Sequence, residues 1–280
     1  MPDPEPPCPG PSAAKPSRLH RFLPRAAGAL VLGLAALIGP AREAVAQAAA
    51  PGTTPDGWRF QITPYLWMSG VAGDLTISPR APTLQFSESF GDVLSDLDAG
   101  IFITGLAIRD RFVISADVSY VATSRKGELL AAPPVSAKGS LDQFSTTLLA
   151  GYRAVEQPGF SLDLLGGLRA WSIEAEAEAR VAGTPFARQT ATLDWVDPIL
   201  AVRLRGDISP RLSAHVIGDI GGFGAGARFT WQLAGLVNYQ LSENLYASGG
   251  YRHLATDYRE GGRRLDFSLS GPILGLTYRF

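Results

Sequence analysis

From residue 58 to the end of the chain, apolar and polar residues alternate one by one in segment after segment. In "FTWQLAGLVNYQL" (229–241), most large apolar side chains fall on odd positions, while Thr230, Gln232 and Asn238 fall on even ones. A period of two residues is typical of a β-strand with one apolar and one polar face. No stretch beyond residue 58 reaches about 18 consecutive apolar residues, the length needed for a membrane-spanning helix. The sequence therefore predicts an all-β chain and excludes a helical membrane protein.

Ten segments share this alternation, and chain breakers separate them. They are 58–68, 99–109, 111–123, 139–153, 159–179, 188–206, 210–220, 228–241, 244–258 and 265–280. Short turns lie at 109–111, 156–159, 207–211 and 242–244. Longer polar or Gly-rich connections lie near 124–138, 180–190, 221–227 and 258–264. Tight turns that alternate with long loops predict an up-and-down meander of antiparallel strands.

Charges on the polar side of these segments decide between a soluble sheet and a membrane barrel. Alternation alone also fits a soluble sandwich or a lipocalin-type barrel, whose apolar face points inward. A dry soluble core does not accept unpaired charges, however. The polar parity carries Arg59, Asp117, Asp163, Arg169, Arg203, Arg205, Asp219 and Arg252. We therefore expect these residues to face the lumen of a membrane barrel and to form a charge network there.

Aromatic residues near the segment ends support the same interpretation. They are Trp58, Tyr120, Tyr152, Phe160, Phe229, Tyr239, Tyr246, Tyr278 and Phe280. Membrane barrels carry aromatic girdles at both interfaces, an apolar outer face and a polar interior. Because closure pairs every backbone group, the strand number should be even. We predict a closed antiparallel up-and-down transmembrane β-barrel of about ten strands, with eight or twelve if 71–77 is a full spanning strand.

The segment 69–98 departs from the alternation. A short strand-like piece at 71–77 is followed by apolar residues at helical spacing, namely Phe86, Phe90, Val93, Leu94 and Leu97. Ser87 or Ser89 is a candidate N-cap. We predict a short amphipathic helix in the first long loop. A loop folded over the barrel mouth is favoured over a plug that narrows the lumen.

The N-terminal 46 residues have the pattern of a secretory signal peptide. Four basic residues precede the uncharged run "AAGALVLGLAALI" (26–38), and small residues follow at Ala44 and Ala46. The run is shorter than the roughly 20 residues that span a bilayer as a helix. The alternative is an interfacial or core helix. We predict a signal peptide at 1–46, a periplasmic linker at 47–57 and a barrel at 58–280. Cleavage would remove Cys8, the only cysteine.

Few residues could carry catalysis or bind a metal. Beyond the predicted signal peptide, His215 and His253 are the only histidines. Each has an aspartate four residues later, but such residues lie about 13 Å apart along a strand. Ala255 stands where outer-membrane deacylases carry a serine, and no metal-ligand spacing is present. "GGFGAGARF" (221–229) lacks the Lys-Ser/Thr of a phosphate loop. We predict no enzyme, no metal and no cofactor, and interpret the Gly-rich segment as a surface loop.

Three function classes remain for such a barrel. The net charge of −1 disfavours a nucleic-acid partner. Mixed charge signs favour a structural or surface-interaction barrel with a salt-bridged polar lumen. The alternative is a narrow passive channel for small or amphipathic solutes. A surface enzyme is the least favoured class. Which solute or extracellular ligand is bound, and the oligomeric state, stay open.

The final residues, "GLTYRF", are similar to the C-terminal strand of bacterial outer-membrane β-barrels, whose terminal Phe serves in the recognition that drives insertion. "ITPYLWMSGVAGDLTI" (62–77), "FGDVLSDLDAGIF" (90–102), "WVDPILAVRLRGDIS" (195–209) and the stretch 218–258 resemble a widespread family of uncharacterised Gram-negative outer-membrane proteins. The resemblance implies the cell outer membrane as location. It implies outer-membrane lipid, lipopolysaccharide, periplasmic chaperones and the barrel-assembly machinery as partners. Leu274, Leu276, Tyr278 and Phe280 would form the assembly strand. No activity follows from it.

Overall fold

The computed structural model describes residues 57–76, 83–129, 135–181 and 184–280. The predicted signal peptide, 1–46, and residues 47–56 of the predicted linker lie outside this part of the chain. All described residues belong to one compact unit, Ala49–Phe280. Within the described ranges, no helix has the length and apolar character needed to cross a bilayer.

The described residues form twelve strands and one short helix, and ten of these strands follow the predicted segments closely. They are β1 Trp58–Trp67, β2 Gly70–Thr76, β3 Leu84–Glu88, α1 Phe90–Ser95, β4 Leu97–Arg109, β5 Phe112–Leu129, β6 Val135–Gln157, β7 Phe160–Val181, β8 Thr184–Ser209, β9 Leu212–Gly221, β10 Phe229–Gln240, β11 Leu245–Glu260 and β12 Arg263–Arg279. Strand β1 and strands β4 to β12 pair in sequence order. Strand β12 then pairs with β1, with Gln61 opposite Arg279 and Leu66 opposite Leu274. The predicted closed barrel of ten antiparallel strands is thus confirmed.

Two kinds of connection mark the two ends of the barrel. The turns β4–β5, β6–β7, β8–β9 and β10–β11 are tight, as predicted, and lie at the end where the chain terminates. Asp110 has φ 51° and Gly159 has φ 77°, the left-handed backbone that such turns require. The opposite end carries the longer connections. In outer-membrane-type barrels the short turns are periplasmic and the long loops extracellular, and we name the two ends accordingly.

The outer surface of the barrel is a continuous apolar belt. Its exposed members include Leu66, Ile101, Ile103, Phe112, Leu148, Tyr152, Leu164, Leu168, Leu200, Val202, Val216, Ile220, Leu233, Val237, Tyr239, Tyr251, Leu274, Leu276, Tyr278 and Phe280. A soluble protein rarely exposes an apolar patch larger than a few hundred Å². The apolar parity of the strands thus points outward, and the charged parity points into the lumen.

The segment 69–98 differs from the predicted loop. Strand β2 pairs with β12 in the same register as β1 does, since Trp67 lies opposite Ile273 and Gly70 opposite Ser270. Strand β3, which the sequence did not predict, pairs with β2. Residues 70–76 are thus neither a loop nor a separate spanning strand, and the barrel count stays at ten. Phe86 of β3 packs against the apolar cluster inside the extracellular mouth.

Helix α1 is present but shorter than its apolar spacing suggested. Ser89 is the N-cap, because its hydroxyl accepts from the Asp92 amide at 3.3 Å. The Asp92 carboxylate accepts from the Ser89 amide at 2.9 Å, which completes a capping box. Phe86 lies in β3 and Leu97 begins β4, so the sheet takes both ends of the predicted apolar stripe.

Four strands extend well beyond the membrane belt. Strands β5 to β8 contain 18, 23, 22 and 26 residues, whereas about 9–11 residues span a bilayer. Strand β4 pairs with β5 only as far as Thr123, and β9 pairs with β8 only from Ile199 onward. Residues 124–129, 135–140, 176–181 and 184–190 therefore form a sheet of four strands outside the barrel, called here the extracellular sheet.

Candidate functional site

Charged side chains from β7 and β9 meet in the middle of the lumen. Arg169 donates from Nη2 to Asp219 Oδ2 at 2.7 Å and from Nε to Thr147 Oγ1 at 3.0 Å. Gln232 donates from Nε2 to the same Asp219 oxygen at 3.0 Å. Arg169 and Asp219 are both buried. This arrangement joins the β6–β7 wall to β9 and β10.

Arg252 of β11 extends this arrangement across the lumen. It donates from Nε to Gln232 Oε1 at 2.8 Å and from Nη1 to the Tyr65 hydroxyl at 2.7 Å. Its Nη1 and Nη2 also contact Asp117 Oδ1 at 3.2 Å, and Tyr65 donates to Asp117 Oδ2 at 2.9 Å. The guanidinium lies 4.5 Å from the Trp67 ring centroid. We call the set from Arg169 to Asp117 the central network; it links β6 and β7 to β5 and β1 through β9, β10 and β11.

A second, smaller network lies towards the periplasmic end. Asp163 is fully buried and accepts from Arg153 Nε at 2.8 Å and from Arg203 Nη1 at 2.9 Å. Arg153 also pairs with Glu156 at 3.2 Å. Since one buried carboxylate serves two buried guanidinium groups, Asp163 is the central member of this lower network.

A large apolar cluster lies in the extracellular half of the lumen, which the sequence analysis did not predict. Trp195 stacks on Tyr258 with ring centroids 4.4 Å apart and on Trp171 at 5.7 Å. Phe267 meets Trp171 edge-on at 5.5 Å. Leu254, Leu265, Leu269 and Ile273 complete the cluster with Tyr65 and Trp67. These residues share the inward parity of the charged residues, so parity alone could have located them inside. We call this group the aromatic cluster.

Two connected cavities among those below the aromatic cluster concern the lumen charges. The central cavity has a volume of about 150 Å³ and is lined by Tyr65, Asp117, Thr147, Arg169, Arg203, His215, Asp219, Gln232, Asn238 and Arg252, among others. The second, called the periplasmic vestibule, has a volume of about 320 Å³ and is lined by Arg59, Gln61, Arg153, Glu156, Arg203, Arg205, His215, Glu243, Tyr246 and Arg279, among others. Gln61, Leu106, Arg203 and His215 line both. The space in the lumen therefore lies on the periplasmic side of the aromatic cluster.

The structure brings most of the predicted lumen charges into pairs. The pairs are Arg169 with Asp219, Arg203 with Asp163, and Arg252 with Asp117. Arg205 pairs with Asp207 at 2.5 Å instead of with a predicted partner. Arg59 forms no ion pair with any described residue.

Several inward residues were not in the predicted charge network. Arg153 was missed, Gln232 was predicted only to lie on a polar face, and Tyr246 faces the vestibule instead of the predicted aromatic girdle. Asp197 was also missed; it accepts from the Trp195 indole at 2.9 Å and from the Ala227 amide at 2.6 Å. Asp197 thereby holds the Gly-rich connection between β9 and β10 against the barrel mouth. All four share the inward parity of their strands.

The two histidines occupy different sides of the barrel wall. His215 faces the lumen, while the carboxylate of Asp219 is engaged by Arg169 and Gln232. His253 faces outward, with its Nδ1 2.5 Å from Ser270 Oγ and its ring 4.7 Å from that of Trp231. Among the described residues no carboxylate contacts the His253 ring. In the same part of the chain, no group of three His, Cys, Asp or Glu is arranged to hold a metal ion.

The closed sheet, the apolar belt and the charged lumen define an outer-membrane-type transmembrane β-barrel. No protein-family model matches the chain, and no curated protein matches it. The resemblance to a family of uncharacterised outer-membrane proteins, drawn from 62–77, 90–102, 195–209 and 218–258, therefore stays a prediction.

Solved structures of other barrels were also compared with this chain. It is similar to the outer membrane protease OmpT from Escherichia coli, with 13% identity, a TM-score of 0.47, and coverage of 81% of this chain and 98% of that chain. The translocator domain of the autotransporter NalP from Neisseria meningitidis is 8% identical, with a TM-score of 0.39, and the match covers 92% of this chain and 96% of that chain. Ail, the attachment invasion locus protein of Yersinia pestis, is 11% identical, with a TM-score of 0.30, and the match covers 80% of this chain and 99% of that chain. Likeness this low carries no argument about activity.

Proposed function

We propose that this protein is an integral outer-membrane barrel with a closed lumen, whose working surface is its extracellular side. The observation that carries the proposal is that side chains occlude the lumen above the vestibule. The central network connects opposite walls, and the aromatic cluster fills the space between that network and the extracellular mouth. A passive channel would need a water-filled path through both the central network and the aromatic cluster.

The width of the barrel is compatible with closure by side chains. Barrels of about eight strands have an interior that side chains can fill, and ten strands are only slightly wider. Here β11 and β5 lie almost opposite each other in the strand order, yet Arg252 and Asp117 are 3.2 Å apart. Long polar side chains and indole rings therefore bridge the additional width.

The extracellular sheet supports a surface role. Its four strands extend beyond the belt, and residues 184–190 of β8 pair on one side only. Such an edge offers backbone donors and acceptors for an incoming strand. Arg188 pairs with Glu176 at 2.7 Å, while Phe186 is 79% exposed. We propose this sheet as the contact surface for an extracellular partner, and lipopolysaccharide and lipid as the surroundings of the belt.

Single-channel recording in a planar bilayer tests the closed lumen. The folded protein, identified by heat-modifiable migration in gels, is expected to give no steady current. The double variant Trp195→Ala/Arg252→Ala should conduct, because it removes a large side chain from the aromatic cluster and another from the central network. Its matched control is Trp231→Ala/Arg259→Ala, which removes an indole and a guanidinium from the outer face, and which should stay silent. Steady current through the unmodified protein would overturn the proposal in favour of the channel.

A further inference from the structure

The periplasmic vestibule concentrates positive charge in a concave space. Five of its lining residues are arginines, namely Arg59, Arg153, Arg203, Arg205 and Arg279, whereas Glu156 and Glu243 are its only acidic lining residues among those described. A volume of about 320 Å³ is far above the roughly 10–15 Å³ that one water requires. The vestibule is therefore large enough for a small solute.

Two of these guanidinium groups lack a carboxylate partner. Arg279 donates to Gln61 Oε1 at 3.3 Å and stacks over Tyr246 at 3.9 Å from the ring centroid. Arg59 forms no ion pair with any described residue. By contrast, Arg153 and Arg203 share Asp163, and Arg205 is paired with Asp207. The uncompensated positive charge thus lies on the two strands that close the barrel, β1 and β12.

The other acids at this end form no ion pair with the two arginines among the described residues. Glu243 lines the vestibule, and Asp207, which is close enough to attract Arg279, is paired with Arg205. Tyr246 and Gln61 hold the Arg279 side chain at the wall, so its planar group is partly ordered before any ligand arrives. Ordering of this kind lowers the cost of binding.

We propose that the periplasmic vestibule is a binding site for a small dianionic oxyanion of the phosphate class, taken from the periplasm. Two unpaired guanidinium groups match two negative charges, and arginine binds phosphate oxygens through parallel N–H donors. The ligand would contact Arg59 and Arg279 at the open end. Arg203 and His215 lie at the inner end, where the vestibule meets the central cavity.

The site is a dead end and not part of a permeation path. Above it, the central network and the aromatic cluster occupy the lumen. Binding is therefore expected from the periplasmic face only. This inference does not depend on the closed lumen, because a barrel that conducts could bind the same anion in the same place.

Isothermal titration with inorganic phosphate tests the proposal. The full barrel is refolded in a zwitterionic detergent, and phosphate is titrated at constant ionic strength, with chloride as the reference anion. Saturable binding with one site per barrel is expected. Arg59→Gln and Arg279→Gln should each weaken it about tenfold, since each removes one charge-assisted contact. Arg59→Lys should fall between the wild type and Arg59→Gln, because it keeps the charge and loses the planar fork.

Arg111→Gln is the matched control. Arg111 lies in a periplasmic turn, stacks over Tyr152 on the outer face and does not line the vestibule. Its loss removes one charge from the same end of the barrel and should leave phosphate affinity unchanged. Heat-modifiable migration checks that each variant is folded.

Three results would overturn the proposal: phosphate heats no larger than those of chloride, equal weakening by Arg111→Gln, or unchanged affinity in the Arg59→Gln/Arg279→Gln double variant. A phosphate headgroup of an inner-leaflet lipid is the other source of this chemistry. Repeating the titration with vesicles that contain phosphatidic acid distinguishes the two. Loss of free phosphate binding in those vesicles assigns the site to the lipid headgroup and overturns the proposal of a soluble ligand.

Discussion

Replacing Arg252 with methionine tests how strongly the central network holds the barrel walls together. Arg252 is buried and donates four hydrogen bonds, one to Gln232, one to Tyr65 and two to Asp117. Methionine fills much of the same space but donates none. The Asp117 carboxylate would keep only the Tyr65 hydroxyl as a donor. Breaking a buried ion pair from one side costs about 3–5 kcal/mol, because the remaining charge is left uncompensated.

Urea titration of the folded barrel in vesicles measures this cost through tryptophan fluorescence. Trp171 and Trp195 lie in the aromatic cluster and report on the packing of the lumen. Removing both charges, in Arg252→Met/Asp117→Leu, should recover most of the loss, since a buried ion pair replaced by apolar residues is often close to neutral.

Arg259→Met is the matched control for the exposed outer face. Arg259 pairs with Asp257 at 2.9 Å, but its side chain is 43% exposed. Its loss should cost much less than the loss of Arg252, because a solvent-exposed ion pair contributes little to stability. The reasoning is refuted if Arg252→Met costs no more than this control. It is also refuted if Arg252→Met/Asp117→Leu is as unstable as Arg252→Met alone.

Three further predictions concern other parts of the molecule. Asp163→Asn should destabilise the barrel by about 3–5 kcal/mol, because two buried guanidinium groups lose their acceptor; a urea midpoint like that of the wild type would contradict this. Phe280→Ala should lower the yield of the protein in outer membranes without lowering its refolding into vesicles. An outer-membrane yield equal to that of the wild type would argue against a recognition role for Phe280. Hydrogen bonds from Ser89 hold the pKa of Asp92 below its ordinary value. The capping box of α1 therefore stabilises fully above about pH 4 and is lost as pH falls through the lowered pKa. The protection of the Val93 amide, measured against its intrinsic exchange rate at each pH, should then fall in acid in the wild type and should fall much less in Asp92→Asn, whose side chain does not titrate.

Much of the fold is encoded locally. Alternation, turn residues and the absence of long apolar runs were enough to predict about ten strands, their approximate bounds and the faces of the alternating residues, although Tyr246 was placed on the wrong face. Strand parity depends only on neighbours in the chain, because successive side chains point to opposite faces. Arg169 and Trp171, two residues apart in β7, therefore share one face, whatever lies opposite them.

The tertiary structure decided which inward residues meet. Arg252 and Asp117 are 135 residues apart, and their contact depends on the register of every ladder between β5 and β11. Strand β2 also pairs with β12, so a segment that was predicted as a loop forms part of the barrel wall. The height of each side chain in the lumen follows from strand tilt and closure. That is why the sequence by itself determined which residues face inward, while only the closed barrel separated them into an aromatic cluster, two ion-pair networks and an arginine-rich vestibule.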